Sequence, residues 1–387
     1  MALTKPIISG SFSYETLEEK LDIKPRGGRL SIGIPKETVL QESRVALIPE
    51  AVGVLVNNGH EVIVETKAGE GSKYSDRDFS DAGAQIAQDK ATVYQAPILI
   101  KSAPVMEHDL PLLQQNQTII SPMQVPMLKK ELVEHLMQKR ITALGFEHIK
   151  DHSGTYPIVR SMSEIAGSAV MLIAGQFLGY AQDGKGVLLG GISGIPPAKV
   201  IIIGAGVVGE FATRTAMAMG ASVKVFDNNV YRLKRLQNNL GIRVWTSVLE
   251  PRILAKQLKT CEVAVGALSS ESGRTPIVVS EEMVSAMRPG SVIIDVSIDR
   301  GGCFETSEIT SHQNPIVVKH DVIHYCVPNI ASAVSRTASN AISNILMPLI
   351  LSCTETAGAA DTLVQNKPGL LGATYVYKGK LTSKVLS

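Results

Sequence analysis

Apolar and polar positions alternate along this chain in two rhythms, and the rhythms take turns. Short runs rich in Ile, Val and Leu at residues 30–34, 61–65, 98–100, 118–120 and 141–145 read as strands. Between them lie stretches with helical spacing, at 49–58, where Pro49 suits a first turn, and at 127–139. A longer helix is predicted over 161–180. There Ile165, Val170, Ile173, Phe177 and Leu178 suit burial on more than one side, and Ser163 reads as its N-cap. After a glycine-rich loop at 184–194, strand and helix signals resume and run to about residue 327. From about residue 336 the pattern is helical again, and the tail at 375–387 is expected to return to the first domain, since termini often lie close together.

Strands alternating with helices predict an α/β fold: two Rossmann-like, doubly wound domains with mostly parallel sheets, joined by long helices. At 387 residues the chain exceeds what one core usually holds. The division expected is an N-terminal arm at 1–28, a substrate domain made of 29–157 and 336–387, and a nucleotide-binding domain at 158–335. The arm has weak periodicity and reads either as disordered or as packed on a neighbouring subunit.

Composition narrows the function. Hydrophobic residues are 44% and charged residues 19%, an ordinary globular balance. A formal net charge of +2 with mixed signs and only 4% aromatics argues against nucleic acid or an acidic membrane as partner. Four scattered cysteines without a C-x-x-C pair suit a reducing cytoplasm. No metal-ligand spacing is visible, and His60, His108 and His135 read as surface or core residues. The start of the chain lacks a secretory pattern, and the apolar stretches at 166–181 and 342–352 read as buried helices, too short or too polar for a membrane span.

One motif carries chemistry outright. The apolar run 199–203 leads into Gly204-Ala-Gly206-Val207-Val208-Gly209, a helix follows at 210–219, and a second strand at 222–226 ends in Asp227. That is the dinucleotide fingerprint in its required context. Gly204 permits the tight turn, Gly206 admits the pyrophosphate, and Gly209 lets the helix lie against the strand. The phosphates then sit on free N–H groups at a helix N-terminus. Asp227 is placed to accept the ribose hydroxyls and to repel a 2′-phosphate, which favours NAD over NADP. Asn228, Asn229 and Arg232 follow closely, and an arginine there can accommodate a phosphate. The plain alternative is a strand–helix turn with Asp227 capping a loop.

Beyond that motif, Ile34-Pro-Lys-Glu-Thr38 and Glu42-Ser-Arg-Val-Ala-Leu-Ile-Pro49 resemble the alanine dehydrogenase and transhydrogenase alpha-subunit family. The resemblance continues through Gly69-Glu-Gly71, Met162-Ser-Glu-Ile-Ala-Gly167, Gly190-Gly191 and Ile298-Asp-Arg-Gly-Gly-Cys-Phe-Glu305. It ends with Tyr325-Cys-Val-Pro-Asn329 and Tyr377-Lys-Gly-Lys-Leu-Thr382. The segments at 301–305 and 325–329 resemble the dehydrogenase branch. The resemblance implies reversible, NAD-dependent oxidative deamination of L-alanine to pyruvate and ammonia, by a homohexamer assembled partly through the long central helices.

The resemblance also implies roles for particular residues. Arg44 matches the position that holds the substrate carboxylate, a task its two-pronged guanidinium suits. Lys101 ends an apolar strand and is expected to point into the crevice. It resembles the family's substrate lysine, although a gapless match puts Ser102 there instead. Asp299 matches the catalytic aspartate, with a turn role before Gly301 as the plain alternative. Met162, Ser163, Asn329, Ala267 and Leu268 match cofactor-contacting positions. The run 267–273 departs from the family's usual cofactor loop. The main departure is Gln124, which stands where the family carries a catalytic histidine. Glutamine hydrogen-bonds a carbonyl or imine but exchanges no proton near neutrality. Two outcomes follow: proton steps run through Lys101, Asp299 and water, or the activity is altered. The latter means another amino-acid substrate or a weakly catalytic NAD-binding protein. His148 is a spatial substitute to test.

Overall fold

The computed structural model describes residues 29–39, 41–124, 128–179, 184–269, 273–354 and 368–382. The arm at 1–28 lies outside the described residues, as do position 127, where a helix was expected to begin, and positions 180 and 270–272.

The first sheet takes β1 (Ser31–Ile34), β2 (Glu61–Glu65), β3 (Gln85–Ala87), β4 (Ile98–Ile100), β5 (Thr118–Ser121) and β6 (Thr142–Gly145) from the first part of the chain. All six run parallel. Helices α1 (Pro49–Asn57), α2 (Asp76–Asp81), α3 (Lys90–Val93) and α4 (Lys130–Gln138) lie between them. The long α5 (Pro157–Gly179) then leads to the second sheet. That sheet comprises β7 (Lys199–Ile203), β8 (Ser222–Phe226), β9 (Trp245–Ser247), β10 (Val263–Gly266), β11 (Val292–Asp295), β12 (Ile316–Lys319) and β13 (Val322–Tyr325), parallel except for β12. Its helices are α6 (Val207–Ala218), α7 (Val230–Leu240), α8 (Pro251–Leu258) and α9 (Glu281–Ser285). After α10 (Ser335–Thr354) the chain closes with β14 (Thr374–Tyr377) and β15 (Lys380–Leu381), and β14 pairs antiparallel with β6 of the first sheet.

The strand orders are β15-β14-β6-β5-β4-β1-β2-β3 and β12-β13-β11-β10-β7-β8-β9. The winding switches direction between β1 and β4 in the first sheet and between β7 and β10 in the second. These are the points at which doubly wound sheets open a crevice beyond the carboxyl ends of their strands. The strands read as continuous apolar runs because helices cover both faces. Ile32, Ile34 and Ile98 pack on one face of the first sheet, while Leu99 and Ile119 pack on the other. The second sheet repeats the arrangement, with Val200 and Ile202 facing α5 and α6 and Ile201 and Ile203 facing the layer of Leu254 and Leu258.

Helix α5 corrects two expectations. It begins at Pro157, whose fixed φ suits a first turn, so Ser163 lies inside the helix and is not its N-cap. With 23 residues it is also long and apolar enough to cross a bilayer. Here Ala166, Val170, Ala174 and Leu178 are instead buried against the second sheet. Gly167 is the close-approach point, since a Cβ there would meet the Val208 carbonyl of α6 at 2.4 Å.

Candidate functional site

Some of the residues singled out by sequence lie where the two strand orders reverse, while Gln124, Asp299 and Asn329 follow β5, β11 and β13. In the first sheet, Lys36 and Glu37 follow β1, and Lys101 and Ser102 follow β4. In the second, the glycine loop follows β7 and Ala267 and Leu268 follow β10.

The Arg44 loop is hung on polar anchors. Backbone N–H groups of Ser43, Val45 and Ile48 donate to the hydroxyls of Ser332, Ser339 and Ser343, at 3.0, 3.0 and 3.1 Å. The Ser102 hydroxyl donates to the Arg44 carbonyl at 2.8 Å. The buried guanidinium lies on Glu42, with Nε donating to Oε1 at 2.7 Å and Nη2 engaging Oε2. Its remaining edge, Nη1, rests on the Met162 sulfur at 3.3 Å. Burial works to raise the Glu42 pKa, but the Arg44 charge and hydrogen bonds outweigh it and hold the carboxyl below its usual range.

Glu42 reaches across to the second sheet. Its Oε2 accepts from the Asn329 side chain at 2.9 Å, and the Asn329 N–H donates to Asp299 Oδ1 at 3.3 Å. Asn329 has φ +56°, a left-handed conformation that asparagine tolerates better than most residues. Asp299 opens to solvent at the rim, yet desolvation by the surrounding protein raises its pKa. The Asn329 N–H and the Arg44 charge offset part of that shift. The 3-10 turn bearing Asp299 is tied down by buried Asp295, which accepts from Ser297 and Cys303 backbone N–H groups and the Ser307 hydroxyl. Arg44, Met162, Asn329 and Asp299 thus form one connected chain of contacts.

Lys101 sits differently from its expectation. It is 2% exposed, and its ammonium does not reach freely into the crevice. It is ringed by Glu37 at 3.0 Å, the Tyr94 hydroxyl at 3.4 Å and Asp109 at 3.5 Å. Burial raises the Glu37 pKa despite the Lys101 charge, while Asp109 is held low because Lys101 and its hydrogen bonds outweigh its burial. Glu37 also accepts from the Ser102 and Ala103 N–H groups, so the lysine lies one carboxylate behind the cleft. A β-strand turns successive side chains to opposite faces, and that alternation carries Lys101 inward.

Gln124 follows β5 with φ +45°. Its N–H and that of Met123 both donate to Glu147 Oε1, at 3.0 and 2.7 Å. Glu147 Oε2 is buried with no hydrogen-bond partner. Glu147 is thus the neighbour that hydrogen-bonds this segment, while His148 stands half-buried next to it.

The second-sheet loops fit a dinucleotide. Gly204 has φ +118°, and a Cβ on it would lie 2.3 Å from the Ala267 carbonyl. A Cβ on Gly209 would meet the Gly204 carbonyl at 1.8 Å. One on Gly206 meets no protein atom within 4 Å, so that face is open to a ligand. Val207 and Val208 begin α6, whose first N–H groups lie beside this opening. Asp227 is buried and accepts from the Ala205 and Asn229 N–H groups, both at 2.7 Å, so it also pins the glycine loop. Two of its lone-pair positions remain for a ribose. Asn228 and Asn229 are committed locally, one to Leu249 N–H and the other as the N-cap of α7. Leu268 accepts from the Ser297 hydroxyl at 2.9 Å, which joins this loop to the Asp299 turn. Ser163 is half-buried on α5, one residue beyond Met162.

Sequence reasoning missed Glu42 and Ser332, although both lie beside the motifs it used. It missed the Tyr94–Asp109 pair altogether, since neither residue sits in a recognisable pattern.

Comparison with known proteins agrees with this geometry. The family models "Alanine dehydrogenase/PNT, N-terminal domain" and "Alanine dehydrogenase/PNT, C-terminal domain" match residues 33–166 and 169–384. Alanine dehydrogenase 2 of Staphylococcus aureus (strain USA300) is 36% identical over 356 residues, which is 92% of this chain and 95% of that protein. A solved L-alanine dehydrogenase superposes with a TM-score of 0.86 at 34% identity, covering 92% of this chain and 98% of the other. A transhydrogenase from Sinorhizobium meliloti shares the fold, with a TM-score of 0.77 at 22% identity over 92% and 99% of the two chains. By sequence over residues 33–166 and 169–384, and by the pairing of two mostly parallel sheets around one arginine-to-aspartate crevice, the chain belongs to the alanine dehydrogenase/PNT family of oxidoreductases.

Proposed function

We propose that the chain oxidatively deaminates an L-amino acid, with L-alanine as the reference substrate, and that NAD accepts the hydride. The observation that carries this reading is the contact chain Arg44–Glu42–Asn329–Asp299, which sets a carboxylate-binding guanidinium beside a carboxylate at the nucleotide edge. NAD bound on the Gly204–Gly209 loop and Asp227 supplies the hydride acceptor. Arg44 offers Nη1 to the substrate carboxylate, exchanging a weak sulfur acceptor for a charged one. Asp299, with its raised pKa, holds or takes a proton at the rim. Gln124 orients the reacting carbonyl or imine without exchanging a proton. Met162, Ser163, Ala267, Leu268 and Asn329 line the cofactor's approach, and Lys101 acts from behind the cleft by pairing with Glu37.

The test is NAD reduction followed by absorbance with L-alanine and a panel of other L-amino acids. Turnover of any of them supports the reading. Tight NAD binding without turnover favours the alternative of a weakly catalytic NAD-binding protein, to which Gln124 and the locked Lys101 lend weight. The same proposal includes a cytoplasmic homohexamer. Support comes from Leu172, 60% exposed midway along α5, and light scattering measures the assembly.

A further inference from the structure

We infer that the cleft beside Arg44 selects a substrate with a second anionic group, an amino or oxo acid bearing a side-chain carboxylate, which Lys36 and Lys67 recognise. This rests on the dehydrogenase reading above and names the substrate class for that site.

An indentation of about 140 Å³ opens at the carboxyl edge of the first sheet, lined by Lys36, Glu37, Glu42, Arg44, Lys67 and Glu70 among others. Three cations and three carboxylates face it, but they do not cancel pairwise. Glu37 is committed to Lys101 and to two backbone N–H groups. Glu42 is committed to Arg44 and Asn329. Glu70 is exposed at the rim. Among the described residues, neither the Lys36 nor the Lys67 ammonium has a carboxylate partner. Among the described residues the cleft therefore presents two ammonium groups that no ion pair holds, with Glu70 the one uncommitted carboxylate of its lining, next to the guanidinium assigned to the substrate's α-carboxylate.

The backbone holds both lysines in place. The Lys36 N–H donates to Glu65 at 2.8 Å, two residues past the end of β1. Lys67 occupies the left-handed region at φ +62°, which glycine adopts freely and a lysine does not. Asp76 fixes that turn, accepting from the Lys67 N–H at 2.7 Å and the Thr66 hydroxyl at 2.6 Å. A strained backbone carrying a charged side chain into a cleft is the pattern expected of a recognition residue.

The physical consequence is selectivity. A substrate with one carboxylate satisfies Arg44 and, as it displaces water, strips hydration from two ammonium groups without returning a counter-charge. A substrate with a second carboxylate returns it. The discrimination arises as much from the penalty on the mono-acid as from attraction to the di-acid.

The experiment is calorimetric titration of the full chain, held with NADH so that no amino acid is oxidised. L-glutamate is compared with L-glutamine and L-aspartate with L-asparagine, pairs that differ in charge at nearly constant shape. The expected result is that at least one acid binds about tenfold or more tightly than its amide. Lys36→Gln and Lys67→Gln should each bring that ratio down severalfold, and raised ionic strength should shrink it. Lys259→Gln, an exposed lysine past α8, serves as control and keeps the ratio. Equal binding of acid and amide overturns the inference, as does a ratio that survives both lysine substitutions. A parallel NAD-reduction assay separates the two readings. Oxidation of L-alanine with no acid preference sinks this inference alone, whereas lysine-dependent acid binding without turnover of any amino acid sinks the proposed reaction alone.

Discussion

Replacing Lys101 with methionine keeps the length and apolar stem of the side chain and removes its ammonium from a buried cluster. Lys101, Glu37 and Asp109 have side chains only 2%, 4% and 1% exposed. In the variant Glu37 loses its nearest cation, and Asp109 keeps Lys90 at 3.1 Å, His108 at 3.5 Å and the Tyr94 hydroxyl at 2.7 Å. Breaking a buried pair by removing one partner costs about 3–5 kcal/mol, because the other charge is left desolvated. With a urea slope of about 3 kcal/mol per molar for a domain of this kind, the unfolding midpoint should fall by on the order of 1 M. The loss should also depend on pH. Glu37 already has a raised pKa, and removing Lys101 raises it further and releases Asp109 upward as well. As pH falls from 8 toward 5 these carboxyls take up protons in the folded variant, so the deficit should shrink. Urea denaturation of Lys101→Met and wild type at the two pH values makes the measurement. A loss below about 1 kcal/mol, or an equal loss at both pH values, refutes the claim that this lysine is held as the centre of an ion cluster.

Four further outcomes test other parts of the structure. Gln124→His should raise the rate of NAD reduction tenfold or more, within the roughly 100- to 10,000-fold range of general acid–base catalysis. The φ of +45° at that position is one histidine tolerates, and an unchanged rate would show that the missing proton carrier is not limiting. Gly206→Ala should weaken NAD binding about tenfold or more while leaving the melting temperature nearly unchanged, because the added methyl meets no protein atom. Gly209→Ala should destabilise the fold itself, since the methyl strikes the Gly204 carbonyl. Fluorescence titration and thermal melting together separate the two. His324 is buried between the Thr306 hydroxyl and the Val322 carbonyl, and burial pushes its pKa down to about 4. The unfolded chain takes up that proton near pH 6.5 and the folded chain does not. Stability from this group is therefore complete above pH 6.5 and is lost as pH falls toward 4, by about 3 kcal/mol in all. His324→Gln should flatten that part of the pH–stability curve measured in urea.

What the amino-acid order determined without help was everything whose cause is local. Runs of Ile and Val specified the parallel strands, Pro49 a helix start, and Gly204 and Gly209 a turn with no room for a side chain, while Gly206 leaves its face open. Each of these rests on backbone sterics or on periodicity within a few residues. The family motifs likewise named Arg44 and Asp299, which the structure joins through Glu42 and Asn329. Ser163 is not a cap because the helix begins at Pro157, six residues earlier, where proline suits the first turn.

Tertiary structure alone decided the partners. Which acceptor takes a given donor depends on residues separated by tens or hundreds of positions: Glu37 for the Lys101 ammonium, Glu42 for the Asn329 amide, Ser339 for the Val45 N–H. A charge and its counter-charge carry no mark of each other in sequence, because Coulombic and desolvation energies are set by distance and burial in the folded chain. Lys101 shows the difference most clearly. Its place at a strand end was legible, but whether its ammonium faced the crevice or Asp109 was settled only once the strand's pleat and the packing of β1 against β4 were in place.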